Sequence, residues 1–223
     1  MIKPPGIIDN TIELPGRCYA IRMMPHEVDI ADIHDKWDQA YADAMKLIVD
    51  GNVDEGKEIL EELYRRKYNR ARHTLSYGYG AGWFGEPDPK KYLSLVYALV
   101  LKGYSAAFSD YGFCYDCGIG VKKSMRWALY WYRKAADYDD DDEAQNILGL
   151  CYEEGLGVLK DCEKAYYWFQ LAVKNGAGTC AEHNLARCFR LGRGISEDKE
   201  MANKYEALAV KHGFHKKDKG IVI

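Results

Sequence analysis

Nowhere in the 223 residues is there an apolar run approaching the roughly 20 residues that a membrane-spanning helix requires. No transmembrane helix is therefore expected. The first residues, MIKPPGIIDNTIELPG, carry one lysine and no apolar stretch of signal-peptide length. An excess of one charge is also lacking: 31 basic residues face 34 acidic ones, for a net charge of −3. A nucleic-acid-binding chain normally shows a basic surplus on one face, so no nucleic-acid partner is expected. The seven cysteines are odd in number and cannot all pair within one chain, and a reducing compartment is the simpler account of them. Together these absences point to a cytoplasmic protein.

What is abundant is tyrosine, with 18 residues, and glycine, with 21. Much of the glycine falls in a repeated pattern, aromatic-x-x-Gly-x-Gly-apolar. It occurs as Tyr115, Gly118, Gly120 and Val121; as Tyr152, Gly155, Gly157 and Val158; and as Phe189, Gly192, Gly194 and Ile195. These copies are 37 residues apart, and a fourth is read 38 residues upstream as Tyr77, Gly80, Gly82 and Trp83. Small and apolar residues recur before each aromatic: Ala107, Tyr111 and Gly112; Ala144, Leu148 and Gly149; Ala181, Leu185 and Ala186. Their spacing places them on one helical face. Glycine then ends the helix, because it alone adopts the left-handed C-cap conformation without steric cost.

A second helix is predicted after each glycine turn. Ser124, Asp161 and Asp198 stand as N-caps. Behind them Ala128, Ala165 and Ala202 are followed by Trp131, Trp168 and Tyr205, and then by Ala135, Ala172 and Ala209. Spacings of three and four give one buried stripe per helix. The aromatics are expected to fill the space opposite the alanines. A lone hairpin of this kind cannot bury its stripe, so the copies should stack into one continuous core.

The run Leu148-Gly149-x-x-Tyr152-x-x-Gly155-x-Gly157-Val158-x-x-Asp161-x-x-Lys164-Ala165-x-x-Trp168 resembles the Sel1-like repeat, a relative of the tetratricopeptide repeat. The resemblance implies an all-α fold, a right-handed superhelix or solenoid of stacked helical hairpins. Four repeats are expected, at 70–104, 105–142, 143–179 and 180–214. In the first, residues 84–89 read as an insertion that widens the turn. Residues 35–69 read as a degenerate helical hairpin capping the array, since terminal repeats face water on one side. Residues 1–34 read as an irregular or β-hairpin extension, and 215–223 as a tail.

Several motifs suggest chemistry without its context. Gly80-Ala-Gly82-Trp-Phe-Gly85 satisfies G-x-G-x-x-G, but the dinucleotide fingerprint follows a strand and opens a helix, whereas these glycines close one. Gly51 to Lys57 resembles a phosphate-binding loop, yet Glu58 stands where magnesium needs Ser or Thr, so a helix-to-helix turn is expected. Cys180, His183 and Cys188 lack a fourth metal ligand. Cys114-x-x-Cys117 lacks the strand-to-helix setting of redox motifs. Cys114, Cys151 and Cys188 share one repeat position and read as semi-buried thiols rather than disulfides. No cofactor, metal or catalytic group is expected.

Function is then sought on a surface. The positions five and one before each aromatic lie one turn apart, on the helix face that solenoids of this kind turn toward their concave side. They are Arg72 and Ser76, Asp110 and Cys114, Ile147 and Cys151, and Asn184 and Cys188. Their character changes from copy to copy, as a contact face can, and they are the expected binding row. A non-catalytic scaffold or adaptor holding a protein or peptide in this groove is the leading expectation. Trp83, Phe84 and Arg72 are candidate anchors, and the acidic turn Asp139–Asp142 a candidate charged rim. The resemblance also implies two alternatives. One is an immunity protein that neutralises a toxin. The other is a β-lactam-associated enzyme or small-ligand protein, though the cysteine pair typical of that subgroup is replaced by alanine at Ala135, Ala172 and Ala209.

Overall fold

The computed structural model describes residues 36–138 and 141–214. The expected extension at 1–34, the tail at 215–223 and Asp139 and Asp140 of the acidic turn lie outside the described residues. Those described form ten α-helices and no strand, in two compact units that meet in sequence at residue 108.

The first unit contains α1 (Lys36–Val49), α2 (Val53–Arg65), α3 (Asn69–Ala81), α4 (Pro89–Val100) and a single 3-10 turn at Ser105–Ala107. Consecutive helices pack antiparallel around Met45, Leu60, Leu63, Leu75 and Leu95. Of the segment Gly51–Lys57, Gly51 and Asn52 lie in the α1–α2 turn, with Gly51 at φ +94°, and the rest forms the start of α2. Gly56 lies inside α2, where a Cβ would stand 2.7 Å from the carbonyl oxygen of Ala44. Its role is close helix approach.

The second unit contains three hairpins: α5 (Phe108–Cys117) with α6 (Met125–Tyr138), α7 (Asp142–Glu154) with α8 (Cys162–Asn175), and α9 (Thr179–Leu191) with α10 (Lys199–Lys211). Glycine in the left-handed conformation closes α7 at Gly155 and α9 at Gly192, and Gly118 after α5 has φ +77°. The Asp161 and Asp198 carboxylates accept the Lys164 and Met201 amides at 3.0 and 2.9 Å, satisfying donors that a helix start leaves open. The six stripe alanines of the second helices, Ala128, Ala135, Ala165, Ala172, Ala202 and Ala209, are each at most 1% exposed. Against Gly112 and Gly149 lie the rings of Tyr132 and Phe169, so close that a Cβ would meet them at 2.9 and 2.5 Å.

One bond recurs in every hairpin that carries the turn. The amide of the N-cap residue donates to the carbonyl of the repeat aromatic: Ser124 to Tyr115 at 2.8 Å, and Asp161 to Tyr152 and Asp198 to Phe189 at 2.9 Å. In the first unit the same bond joins Asp88 to Tyr79, also at 2.9 Å. Gly82, three residues after Tyr79, is the left-handed C-cap of α3, while Gly80 lies within the helix. This corrects the register of the first copy by two residues, and Gly80 is not a turn residue. The turn spans nine residues between bonded partners in all four hairpins, so 84–89 does not widen it. In the corrected register Ala71 and Leu75 take the repeat's alanine and leucine positions, and both are buried. Phe84 replaces the second glycine, and its ring fills the place of a Cβ on Gly78.

In the α7–α8 and α9–α10 turns the second glycine serves contact as well as conformation. Gly157, at φ +69°, would place a Cβ 2.6 Å from the Met125 side chain. Gly194, at φ +76°, would place one 2.0 Å from the carbonyl oxygen of Cys162. Each turn therefore docks on the start of the preceding hairpin's second helix. A polar clasp joins the same hairpins: Glu153, 1% exposed, accepts from Arg187 and, at 2.8 Å, from Arg193. Burial pushes the Glu153 carboxyl up, but the Arg187 charge and the hydrogen bonds from both arginines outweigh it, leaving it below its usual 4.5.

Two expected outcomes follow from these contacts. Gly155→Ala, which meets no atom closer than 3.4 Å, should cost about 1–2 kcal/mol for its left-handed backbone alone. Gly194→Ala must also displace backbone and should cost clearly more. Urea unfolding of the two variants checks the order, and equal losses would refute the docking role. A carboxyl held low in the fold lends stability above its unfolded pKa that vanishes as pH falls through its folded value. Glu153→Gln should lose about 1–3 kcal/mol at neutral pH by weakening the charged hydrogen bonds from Arg187 and Arg193, whose partial exposure lets water screen them. It should also flatten the acid limb of a stability–pH curve taken from about pH 7 to pH 3.

Candidate interaction surface

The eight residues expected to form a binding row are all buried, none more than 9% exposed. Asp110, Cys114, Ile147, Cys151, Asn184 and Cys188 lie in the interior of the second unit. Asn184 Nδ2 donates to Asn146 Oδ1 at 2.9 Å, bonding α9 to α7. The Cys188 thiol is pushed up to about 12, first by burial and then by the Glu153 charge. In the first unit Ser76 is fully buried, and the Arg72 guanidinium lies 4.5 Å over the Tyr64 ring. Under the corrected register, Thr74 and Gly78 are the true counterparts of the row. These side chains are thus buried within the described fold rather than exposed on its surface.

The cysteine and histidine motifs occupy structural places too. Cys180 is disulfide-bonded. His183 stacks on Phe214 at 4.3 Å and lies 3.2 Å from Glu206. Among the described residues, no group of three or more His, Cys, Asp or Glu side chains is placed to hold a metal ion. No helix there is long and apolar enough to cross a membrane.

The exposed feature that stands out in the second unit is α6. Its buried edge is Ala128, Tyr132, Ala135 and Ala136. Its outer face is an aromatic chain: Trp127 packs edge-on against Tyr130 at 5.8 Å, and Tyr130 against Trp131 at 5.1 Å. Trp131 also meets Tyr111 at 5.0 Å, which anchors the chain to α5. Trp127, Tyr130 and Tyr138 are more than half exposed, at 51, 52 and 72%.

Beside these rings is an open pocket of about 560 Å³ between α6 and α7. Arg126, Tyr130, Arg133 and Tyr138 line it from α6, and Leu148, Tyr152 and Val158 from α7 and its turn. Arg133 donates to the Tyr152 hydroxyl. Lys134, at the rim, lies over the Phe108 and Trp131 rings at 4.7 and 5.1 Å. Neither Arg126 nor Arg133 forms an ion pair with a carboxylate among the described residues. The segment Gly118–Ala136 holds five basic residues and no acidic one, in a chain whose acids outnumber its bases.

The signal for this surface stands in the sequence, in Arg126-Trp-Ala-Leu-Tyr-Trp-Tyr-Arg-Lys134. Tyr132 fills the interior, whereas Trp131, expected opposite the alanines, is only half-buried, as are Trp168 and Tyr205 at the same position of the later copies. Trp127 and Tyr130 interleave with Trp131 and Tyr132 at helical spacing, and only the packing of α5 and α7 separates the covered rings from the open ones.

The Sel1 repeat family model matches residues 109–139, 142–176 and 181–214. The first unit, including α3 and α4, lies outside those matches. Among curated proteins, none matches the sequence. Solved structures do. A Sel1 repeat protein from Oxalobacter formigenes aligns with TM-score 0.71 at 24% identity, over 78% of this chain and 70% of that one. The protective antigen c5321, from uropathogenic Escherichia coli strains and displaying the SLR fold, aligns with TM-score 0.64 at 26% identity. That alignment covers 75% of this chain but only 37% of the antigen. A Sel1 repeat protein from Klebsiella pneumoniae aligns with TM-score 0.55 at 18% identity, over 83% and 91% of the two chains. Residues 109–214 thus carry three Sel1 repeats, each built on the same paired-glycine turn and N-cap bond.

Proposed function

We propose that the chain is a non-catalytic interaction scaffold that takes a protein or peptide partner on the outer face of α6. One observation carries this reading: Trp127, Tyr130 and Tyr138 stand open to solvent beside Arg126 and Arg133. Tryptophan, tyrosine and arginine are the residue types in which binding energy concentrates at protein interfaces. An exposed aromatic patch has a standing free-energy cost in water, which a partner would relieve. The rings are also held by their edge-to-face contacts, so little side-chain freedom remains to be lost on binding.

Affinity capture followed by cross-linking and mass spectrometry tests this reading, with the wild type compared with a Trp127→Ala/Tyr130→Ala variant. A partner should cross-link near α6 in the wild type and be recovered at least tenfold less with the variant. The melting temperature should fall by only a few degrees, because both side chains are half exposed. Undiminished recovery of every partner would refute the assignment of this face.

A further inference from the structure

We infer that the pocket between α6 and α7 is a subsite for an acidic peptide segment of the partner, one that places a carboxylate next to an apolar side chain. The inference rests on the scaffold reading and adds the chemistry of the ligand. Its first support is charge. Arg126 and Arg133 enter the pocket from the same helix without a carboxylate partner among the described residues, and Lys122 and Lys123 extend the positive field along the exposed approach to α6. A guanidinium left unpaired beside a concave, partly apolar wall gains from a carboxylate that also brings bulk to cover that wall.

The second support is the wall itself. Leu129, Leu148 and Val158 form an apolar floor, while Tyr130 and Tyr138 flank it. Such a floor takes an aliphatic or aromatic side chain, and the arginines fix where the neighbouring acid must lie. The same features count against a nucleic acid. A phosphate backbone calls for cations spaced along a track, whereas these converge on a single pocket. Asp137, also in the lining, would repel a polyanion more than it would a lone carboxylate. Electrostatic attraction of this kind speeds encounter and selects the partner, and it weakens with salt.

Fluorescence anisotropy on the full chain tests the inference, with a short fluorescein-labelled peptide in which Glu alternates with Leu and Phe. Saturable binding is expected, weakening as salt is raised. The matching peptide with Gln in place of Glu should bind at least tenfold more weakly, a difference of about 1.4 kcal/mol. Arg126→Gln, whose side chain makes no ion pair in the fold, should weaken the Glu peptide several-fold, and Arg126→Gln/Arg133→Gln at least tenfold, with unchanged circular dichroism. Equal affinity for the two peptides, or full affinity in the double variant, overturns the inference. So does tighter binding of a single-stranded RNA than of the Glu peptide. If the Glu peptide fails while partner capture still depends on Trp127 and Tyr130, the acidic ligand is refuted and the scaffold reading stands.

Discussion

The contact between a glycine turn and the helix beneath it governs the architecture of the second unit. Gly157 and Gly194 both lie in the left-handed backbone region and both abut the start of the preceding second helix. At Gly194 the opposing atom is a backbone oxygen, which cannot rotate away as a side chain can. A repeat array depends on such nearest-neighbour interfaces, because a single hairpin has too little core to fold alone. The turn sets how closely hairpins approach, while within each hairpin Gly112 and Gly149 let the rings of Tyr132 and Phe169 come close to the first helix.

Close approach of the hairpins has an electrostatic consequence. Side chains on the joining faces of the first helices leave water, and the polar ones among them need partners inside. Glu153 finds Arg187 and Arg193, and Asn184 finds Asn146. A half-satisfied set would oppose folding, so these contacts contribute specificity of stacking as much as strength. One residue of the row that read as a binding face, Asn184, is among those that join neighbouring hairpins. Differing internal partners and differing external partners leave the same trace in a sequence.

Much of the fold was legible because glycine, alanine and aspartate are each confined by backbone or packing physics to few roles. Helix order, the caps at Asp161 and Asp198, and the turns at Gly118, Gly155 and Gly192 could all be read from spacing. The first copy was misread by two residues for a specific reason. Tyr77 and Tyr79 each stand three residues before a glycine, and only the Tyr77 register shows the second glycine, so the sequence favours the wrong one. The left-handed cap at Gly82 and the bond from Asp88 to Tyr79 settle it. The candidate surface was misplaced because periodicity tells which residues share a helix face but not which neighbour covers that face.

The sequence by itself therefore determined the repeat, the helical hairpin as its unit, and the glycine turns of the second unit, since these depend on local conformation and on spacings along one chain. Only the tertiary structure decided that the row from Asp110 to Cys188 is interior and that Trp127, Tyr130 and Tyr138 are exterior. Burial is a property of what packs against a residue from elsewhere in the chain. An aromatic ring satisfies core and interface alike, so its identity cannot say which it serves until the neighbouring helices are in place.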